Sequence, residues 1–524
     1  MSPKPINLSL QPKDVESLIK VGSALMAEHD LNKLLSLILR KSRKILGADA
    51  GSLFLIEWKG NETPTHLRFE LSQNDSIEVS LHESRLPINM KSLAGYVALT
   101  KTRLLIDDVY NIHREMPYQF MNTFDKTTGY RSKSLLSVPM LDHKHTMIGV
   151  IQLWNKKLNP KLVLTEKNTN KEVIPFDESD CFLLESLASQ AAIAVENAKL
   201  YSDIEQLFEG FIKASVHAIE ARDPTTSGHS ERVSTLTLAL AQEANNRSDG
   251  IFKDIYFTDK HLKEIQYASL LHDFGKIGVR ESVLVKAKKL YPLELEVIRN
   301  HIDMLHQTYR IELLENQVQY LAKGGKKNDD LWNNLERTYQ MKVESLQQTF
   351  DAISECNEPT VLSKDVEIQL QRLKDIHGKR LDGSTFALVN SDQLFRLSIS
   401  KGTLSSEERK EIEAHVSHTY EFLKQIPWTS ELKNVPDIAH AHHEKLNGTG
   451  YPRALESKEI PVASQIMAIT DIFDALVARD RPYKKAISRD KALQILSDEA
   501  RQGMINSDFV DLFIRQKIFL LTTS

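Results

Sequence analysis

The sequence predicts a multidomain protein: an N-terminal α+β domain with an antiparallel sheet and flanking helices, a long linking helix, and a helical C-terminal region. Three observations lead there. The chain has 524 residues, more than one ordinary hydrophobic core accommodates. Short apolar runs bounded by turn residues recur in the first third, most clearly at GSLFLIEW (51–58) and MIGVIQLWN (147–155). From Asp177 onward the apolar residues fall at helical spacing instead. The composition, 41% hydrophobic and 26% charged, is that of a soluble globular chain rather than a disordered one. With 67 basic against 71 acidic residues, no positive excess exists to hold a nucleic-acid polymer. Cys181 and Cys356 exclude a disulfide framework and suit a reducing compartment as buried thiols. No apolar run reaches eighteen residues and the N-terminus lacks a signal-peptide core, so a cytoplasmic protein with no membrane partner is expected.

Residues 1–14 read as a tail and 14–46 as a helix, with Leu34, Leu35, Ile38 and Leu39 on its apolar face and basic residues towards its end. Strands are expected at 51–58, 65–71, 77–81, 102–106, 134–140 and 147–155. The long helix opens on Asp177, Glu178 and Asp180, negative charge at its positive end. Leu187, Ala191, Ala194, Ala198 and Tyr201 then recur at alternating spacings of four and three, a coiled-coil seam of mostly small side chains. The first half of this helix suits packing on its own sheet equally well; a parallel homodimer along 187–215 is the reading adopted, because it would carry a signal between domains.

The helical remainder carries the chemistry. HHEKLNGTGYP (442–452) sets His442 and His443 beside Glu444, good transition-metal ligands, ahead of glycines and a proline that preclude a regular helix or central strand. Upstream, Pro224 and Gly228 break the chain before GHSER (228–232), where His229 opens a helix. In LLHDFGKIGV (270–279) an apolar helical face runs into His272 and Asp273, followed by Gly275 and Lys276. A neutral imidazole beside a carboxylate able to bridge cations suits a two-metal hydrolase. TDIFDAL (470–476) puts Asp471 and Asp474 on an otherwise apolar helix, which is costly unless they pair or ligate. Ile302, Leu305, Tyr309, Leu313 and Leu314 form one apolar face and Leu331, Leu335, Leu346, Phe350 and Ile353 another, a helical hairpin around GGKKNDD (324–330).

SLAGYVALTKTRLLIDDV (92–109) and SLLSVPMLDHKHTMIGVIQLWNK (134–156) resemble the middle segment and last sheet strands of a GAF domain, over roughly 15–200. Asn155, Lys156, Phe176 and Asp180 match that family's Asn-Lys…Phe-x3-Asp-Glu motif, with Cys181 in place of the Glu. In the family this motif braces the fold near the pocket. The resemblance implies a cyclic-nucleotide ligand, another small molecule, or a purely structural or dimerising role, and all three stay open.

The ordered set GHSER, HDFGK, HHExxxGxGYP and TDIFDAL closely resembles the HD-GYP subfamily of HD-domain phosphohydrolases, from about Phe211 to about Phe513, within a domain expected at 211–524. That resemblance implies an all-α domain binding two or three metals, iron or manganese, and hydrolysing cyclic di-GMP to pGpG and/or GMP under control of the GAF domain. It implies His229, His272, Asp273, His415, His442, His443 and Asp471 as ligands, with Asp273 and Lys276 catalytic and Lys276 beside the substrate phosphate. Gly448, Gly450, Tyr451 and Pro452 would face the substrate, and Arg481 and Tyr483 are further contacts or part of a solvated loop. One ligand position has two candidates: His301, ending KKLYPLELEVIRNH, and His415 in GTLSSEERKEIEAHVSH, with His418 a turn later. The order of motifs selects His415. Roughly 110 residues separate the two phrases, an insert at about 302–400 that would be a dimerisation arm or a lid. Asn447 stands where Asp is usual, which keeps the turn-forming hydrogen bond without the charge. Thr225 stands where three-metal members have Glu, so two cations are expected. The competing readings are hydrolysis of another cyclic dinucleotide, such as cyclic GMP-AMP, and a catalytically weak cyclic di-GMP-responsive interaction protein.

Overall fold

Period-two alternation turns Leu53 and Leu55 to one face of a strand and Phe54 and Ile56 to the other, so both faces of the resulting sheet need cover. The structure, a computed structural model, describes residues 12–28, 30–59, 63–78, 85–222, 227–359, 370–380, 382–478 and 487–522. The chain divides into two units, Met1–Glu209 and Gly210–Ser524.

The first unit contains α1 (Pro12–Met26), α2 (Leu31–Leu46), β1 (Ala48–Lys59), β2 (Thr63–Asn74), β3 (Arg85–Pro87), α3 (Leu93–Thr100), β4 (Leu104–Ile106), α4 (Thr123–Thr128), β5 (Leu135–Leu141), β6 (Met147–Lys157), α5 (Thr169–Glu172), β7 (Val173–Ile174) and the start of α6 (Glu178–Arg222). The strands pair antiparallel in the order β3-β2-β1-β6-β5-β4, with β7 also on β6. Helices α1, α2 and α6 cover one face through Leu25, Leu34, Ile38, Leu184 and Ala188; α3 and the loops around Val109 and Tyr118 cover the other.

Three expectations change here. The single helix over 14–46 is two helices, because the Asp30 side chain accepts from the Lys33 N–H at 3.0 Å and starts a new helix there. The strand at 77–81 is absent at its described residues: Asn74 Oδ1 accepts from the Ser76 and Ile77 N–H groups, a turn that ends β2, while 79–81 lie outside the described residues. Leu187, Ala191, Ala194 and Ala198 are buried in their own domain's core beneath α1 and α2, so that stretch cannot form the dimer seam. The exposed apolar residues of α6 in this unit lie on either side of that stretch: Phe182 before it, and Leu200, Tyr201, Ile204 and Leu207 after it.

The second unit comprises α7 (His229–Asn245), α8 (Asp259–Leu271), α9 (Glu281–Leu284), α10 (Pro292–Ala322), α11 (Asp330–Cys356), β8 (His377–Lys379), β9 (Thr385–Ala387), α12 (Ser391–Leu397), α13 (Ser406–Leu423), α14 (Val435–His440), α15 (Val462–Val477), α16 (Arg489–Arg501) and α17 (Ser507–Arg515). Helices α7, α8 and α15 pack together, and α13 lies against α14 and the Phe274–Gly278 turn. The insert is a hairpin of α10 and α11, as the periodicity predicts. Its core, Leu305, Leu346 and Ile353 with Phe386, Leu388 and Leu397, also takes in the small β8–β9 ribbon, which carries too few residues to show as an alternating pattern. Leu314 and Leu331 face outward, contrary to the expected faces, and Trp332 is buried instead of Leu331. Cys181 and Cys356 are both free and buried.

Candidate metal centre

Local chain breaks deliver each polar group to one point. Gly228 sits at φ +66, a left-handed conformation that favours glycine, and α7 begins at the next residue, His229. Helix α8 ends at His272–Asp273, where the chain tightens into the Phe274–Gly278 turn. A Cβ on Gly275 would lie 1.9 Å from the His415 carbonyl oxygen and 2.5 Å from the Thr419 nitrogen, so only glycine lets this turn press on α13. Thr419 clasps the junction, its hydroxyl donating to the His272 carbonyl at 2.9 Å and accepting from the Gly275 N–H at 2.8 Å. His442 and His443 follow the end of α14, and Asp471 projects from α15.

The seven side chains converge. His229 Nε2 lies 3.2 Å from Asp471 Oδ1 and 3.7 Å from Asp273 Oδ2. Asp273 reaches the other way too, its Oδ1 3.3 Å from His415 Nε2. His443 Nδ1 is 3.8 Å from Asp471 Oδ2, and the His442 ring lies 4.1 Å from that of His443 and 4.9 Å from that of His272. Ligand atoms of His415, His442 and His443 lie within 4.8 Å of one another, as do those of His229, His272 and Asp273, and those of His272, His442 and Asp471.

The histidine tautomers are set by the helices. His272 Nδ1 pairs with the Ser269 carbonyl at 2.7 Å, His442 Nδ1 with the Ala439 carbonyl at 2.6 Å, and His415 Nδ1 with the Ile412 carbonyl. That leaves the Nε2 of each facing the centre, buried and without a hydrogen-bond partner. Buried polar atoms are rarely left so, and an unprotonated Nε2 braced through Nδ1 is the form in which imidazole binds a cation. Burial holds His442 well below its usual range and pushes His443 down to about 3, so both are neutral and able to ligate. Burial also pushes the Asp273 carboxyl up, but Lys276 and then His272 and His415 outweigh it and hold it well below the carboxylate range. His229 is the exception: burial opposes its proton, yet Asp471 and Asp474 raise it to about 9. A cation at His229 therefore displaces a proton.

Among the other expected site residues, Lys276 lies at the centre, with Nζ 2.7 Å from Asp273 Oδ2. The Tyr451 ring is 4.8 Å from the His443 ring. Gly448 has φ +74, and a Cβ on Gly450 would sit 2.2 Å from the Lys445 nitrogen, so the loop through Pro452 needs both glycines. Asn447 Oδ1 accepts from the Thr449 hydroxyl at 2.7 Å and its N–H at 3.2 Å, the turn-forming bond expected of an amide there. Glu444 turns away from the metal-type cluster: its buried carboxylate accepts from the Arg453 N–H at 2.8 Å and the Leu455 N–H at 2.9 Å, stapling the loop. His301 belongs to the insert, its ring 4.5 Å from Phe386 and its Nδ1 against the Leu388 carbonyl, and His415 occupies the cluster. His418 is exposed and packs over Gly278. Arg481, Tyr483 and Thr225 lie outside the described residues.

The sequence requires Asp474 to pair or ligate but does not name its partner. Asp474 Oδ2 lies 2.8 Å from His229 Nδ1, and Arg232 grips the carboxylate through Nε at 2.8 Å and a second guanidinium nitrogen at 3.0 Å. The signal was present: a carboxylate one turn beyond Asp471 on a buried helix face needs a partner.

In the N-terminal unit a cavity of about 450 Å³ is lined by Phe54, Phe69, Phe120, Trp154, Gln152 and Asp125, among others. Asn155, Lys156, Phe176 and Asp180 do not line it. Asn155 Nδ2 donates to the Tyr130 hydroxyl and the Arg131 carbonyl, both at 2.9 Å; Lys156 pairs with Asp180 and with Asp177 Oδ2 at 3.3 Å; Phe176 is core.

Residues 30–195 match the GAF domain family and residues 390–508 the HD domain family; this chain carries both domains. The HD match includes His415, His442, His443 and Asp471 and begins after His229, His272 and Asp273. The chain is similar to "3'3'-cGAMP-specific phosphodiesterase 3" of Vibrio cholerae, 42% identical over 97 residues (18% of this chain, 20% of that protein). It is similar to "Cyclic di-GMP phosphodiesterase" of Thermotoga maritima, 33% identical over 121 residues (23% and 32%). It also matches "Probable cyclic di-GMP phosphodiesterase" of Vibrio cholerae, 22% identical over 315 residues (60% and 45%). The chain thus spans between a fifth and just under half the length of these curated relatives. Among the described residues no helix is long and apolar enough to cross a membrane.

Proposed function

We propose that this chain is a metal-dependent phosphodiesterase that hydrolyses cyclic di-GMP to pGpG and/or GMP, with its GAF domain (within 15–200) regulating an HD-GYP domain (211–524). The observation that carries this reading is the convergence of three buried, partnerless Nε2 atoms with the carboxylates of Asp273 and Asp471. His229, His272, Asp273, His415, His442, His443 and Asp471 would hold two divalent cations, iron or manganese, and Asp273 faces both histidine groups through its two oxygens. Bound cations would supply Lewis acidity towards a phosphoryl oxygen and towards water. Lys276 adds fixed positive charge for the developing phosphoryl charge. Tyr451 offers a ring and hydroxyl to a base, Gly448, Gly450 and Pro452 shape the loop beneath it, and Arg481 and Tyr483 belong to the same reading as substrate contacts.

The similarity to a 3'3'-cGAMP-specific phosphodiesterase supports a second reading, hydrolysis of a mixed cyclic dinucleotide. Anaerobic purification with metal analysis, then incubation with cyclic di-GMP and with 3'3'-cGAMP and chromatography of products, separates these readings. pGpG or GMP from cyclic di-GMP is the expected result; faster turnover of the mixed dinucleotide transfers the assignment. No product from either, with metal bound, leaves a cyclic di-GMP-responsive interaction protein.

The same proposal includes a cytoplasmic homodimer and a small-molecule ligand in the GAF cavity. An uncharged ligand suits that cavity better than a cyclic nucleotide, because no Lys or Arg is among its described lining residues and Asp125 already accepts from Tyr110 and Ser132. Isothermal titration with cyclic AMP and cyclic GMP is expected to give no heat.

A further inference from the structure

Helix α10 is apolar on two sides. Ile298 and Leu305 are buried within the insert's own core. On the other side Val297, Met304, Ile311 and Val318 follow one another at intervals of seven, with Leu314 and Leu321 three residues after the last two. These six side chains are between 37 and 66% exposed. A helix with two apolar faces needs two partners, and its own unit covers one. A period of seven, rather than the 3.6-residue repeat that suits a globular core, suits one further helix wound around this one.

We infer that this stripe of the insert is the dimer interface and that its occupant is α10 of a second copy, parallel and in register. The residues between and beside the apolar positions point to that occupant. Asn300 and Gln307 are exposed at positions equivalent to Leu314 and Leu321, so in a parallel, in-register pair each amide meets its own counterpart and can bond to it. Across the same seam Arg310, just before Ile311, faces Glu315 of the second copy, an opposite-charge contact that the two-fold repeats. The antiparallel register that stacks Ile311 on Gln307 would bring Arg310 against its own copy. The inference rests on the homodimer part of the proposal above and is independent of hydrolysis.

The test uses the full chain, whose native cysteines are buried. Sedimentation or light scattering should give a dimer mass, and L314D with V318D should raise the dissociation constant by at least ~100-fold, because each charge would be buried unpaired. Circular dichroism and the melting temperature check that these exposed substitutions leave the fold intact. R310E alone should weaken the dimer, and adding E315R should restore it. Ile311→Cys should cross-link to its own copy on mild oxidation. A monomeric wild-type chain overturns both the homodimer and this interface. A dimer that survives L314D with V318D, or that is lost only with Leu207→Asp on α6, overturns the interface alone.

Discussion

At the residue scale, the centre depends on groups that never face it. Asp474 and Arg232 hold His229 Nδ1 much as backbone carbonyls hold His272, His415 and His442. Asp474→Asn should therefore leave the fold intact yet weaken cation binding ~10–100-fold, measured by competitive titration with a metal indicator. Glu408, two turns before His415 on α13, is a buried carboxylate held by its own set of donors. Its buried carboxylate takes hydrogen bonds from Lys286 at 2.7 Å, Tyr291 at 2.7 Å, Arg396 at 2.5 Å and the Ser405 N–H at 2.9 Å. Burial pushes this carboxyl up, and those donors, Lys286 first, bring it down to about 2. Burial also lowers Lys286, so the donors together, rather than the lysine alone, hold the charge. A depressed folded-state value means the contribution to stability is whole above the ordinary value of 4.5 and is lost as pH falls towards about 2. Glu408→Gln should cost about 3 kcal/mol at neutral pH and flatten the acid limb of a pH–stability curve.

At the element scale, the site is a matter of how closely two segments approach. The Phe274–Gly278 turn touches α13 through Gly275 because nothing larger than hydrogen fits between Gly275 and the His415 carbonyl. Gly275→Ala should force the turn off the helix, lowering stability by about 1–3 kcal/mol and loosening the cation site, read from the melting temperature and from metal titration on one sample. Helix α6 makes the complementary point. Its small residues from Leu187 to Ala198 look like a dimer seam, but the same small residues also let a helix lie close on a sheet, and here α1, α2 and the sheet are the nearer partners.

At the scale of the whole molecule, the two units should respond differently to the same treatment. The proposed cation ligands, His229 to Asp471, all belong to Gly210–Ser524, and the 450 Å³ aromatic cavity belongs to Met1–Glu209. Removing metal with a chelator should lower only the calorimetric transition of the second unit. Readdition of cation at 100 times its dissociation constant should restore ~2.7 kcal/mol to that unit. A shift in both transitions, or in neither, would contradict this.

Much of the protein is legible in the residue order. Strand alternation, the turn residues and the motifs GHSER, HDFGK, HHExxxGxGYP and TDIFDAL locate the sheet, the helical remainder and the groups that meet, because alternation and donor chemistry are properties of residue types at short spacing. The outward turn of Glu444, the clamp of Asp474 on His229 and the inward packing of Ala191 and Ala194 were decided only by tertiary structure. Each depends on which segment lies across from a side chain. His229 and Asp474, 245 positions apart, become partners only when α7 packs on α15.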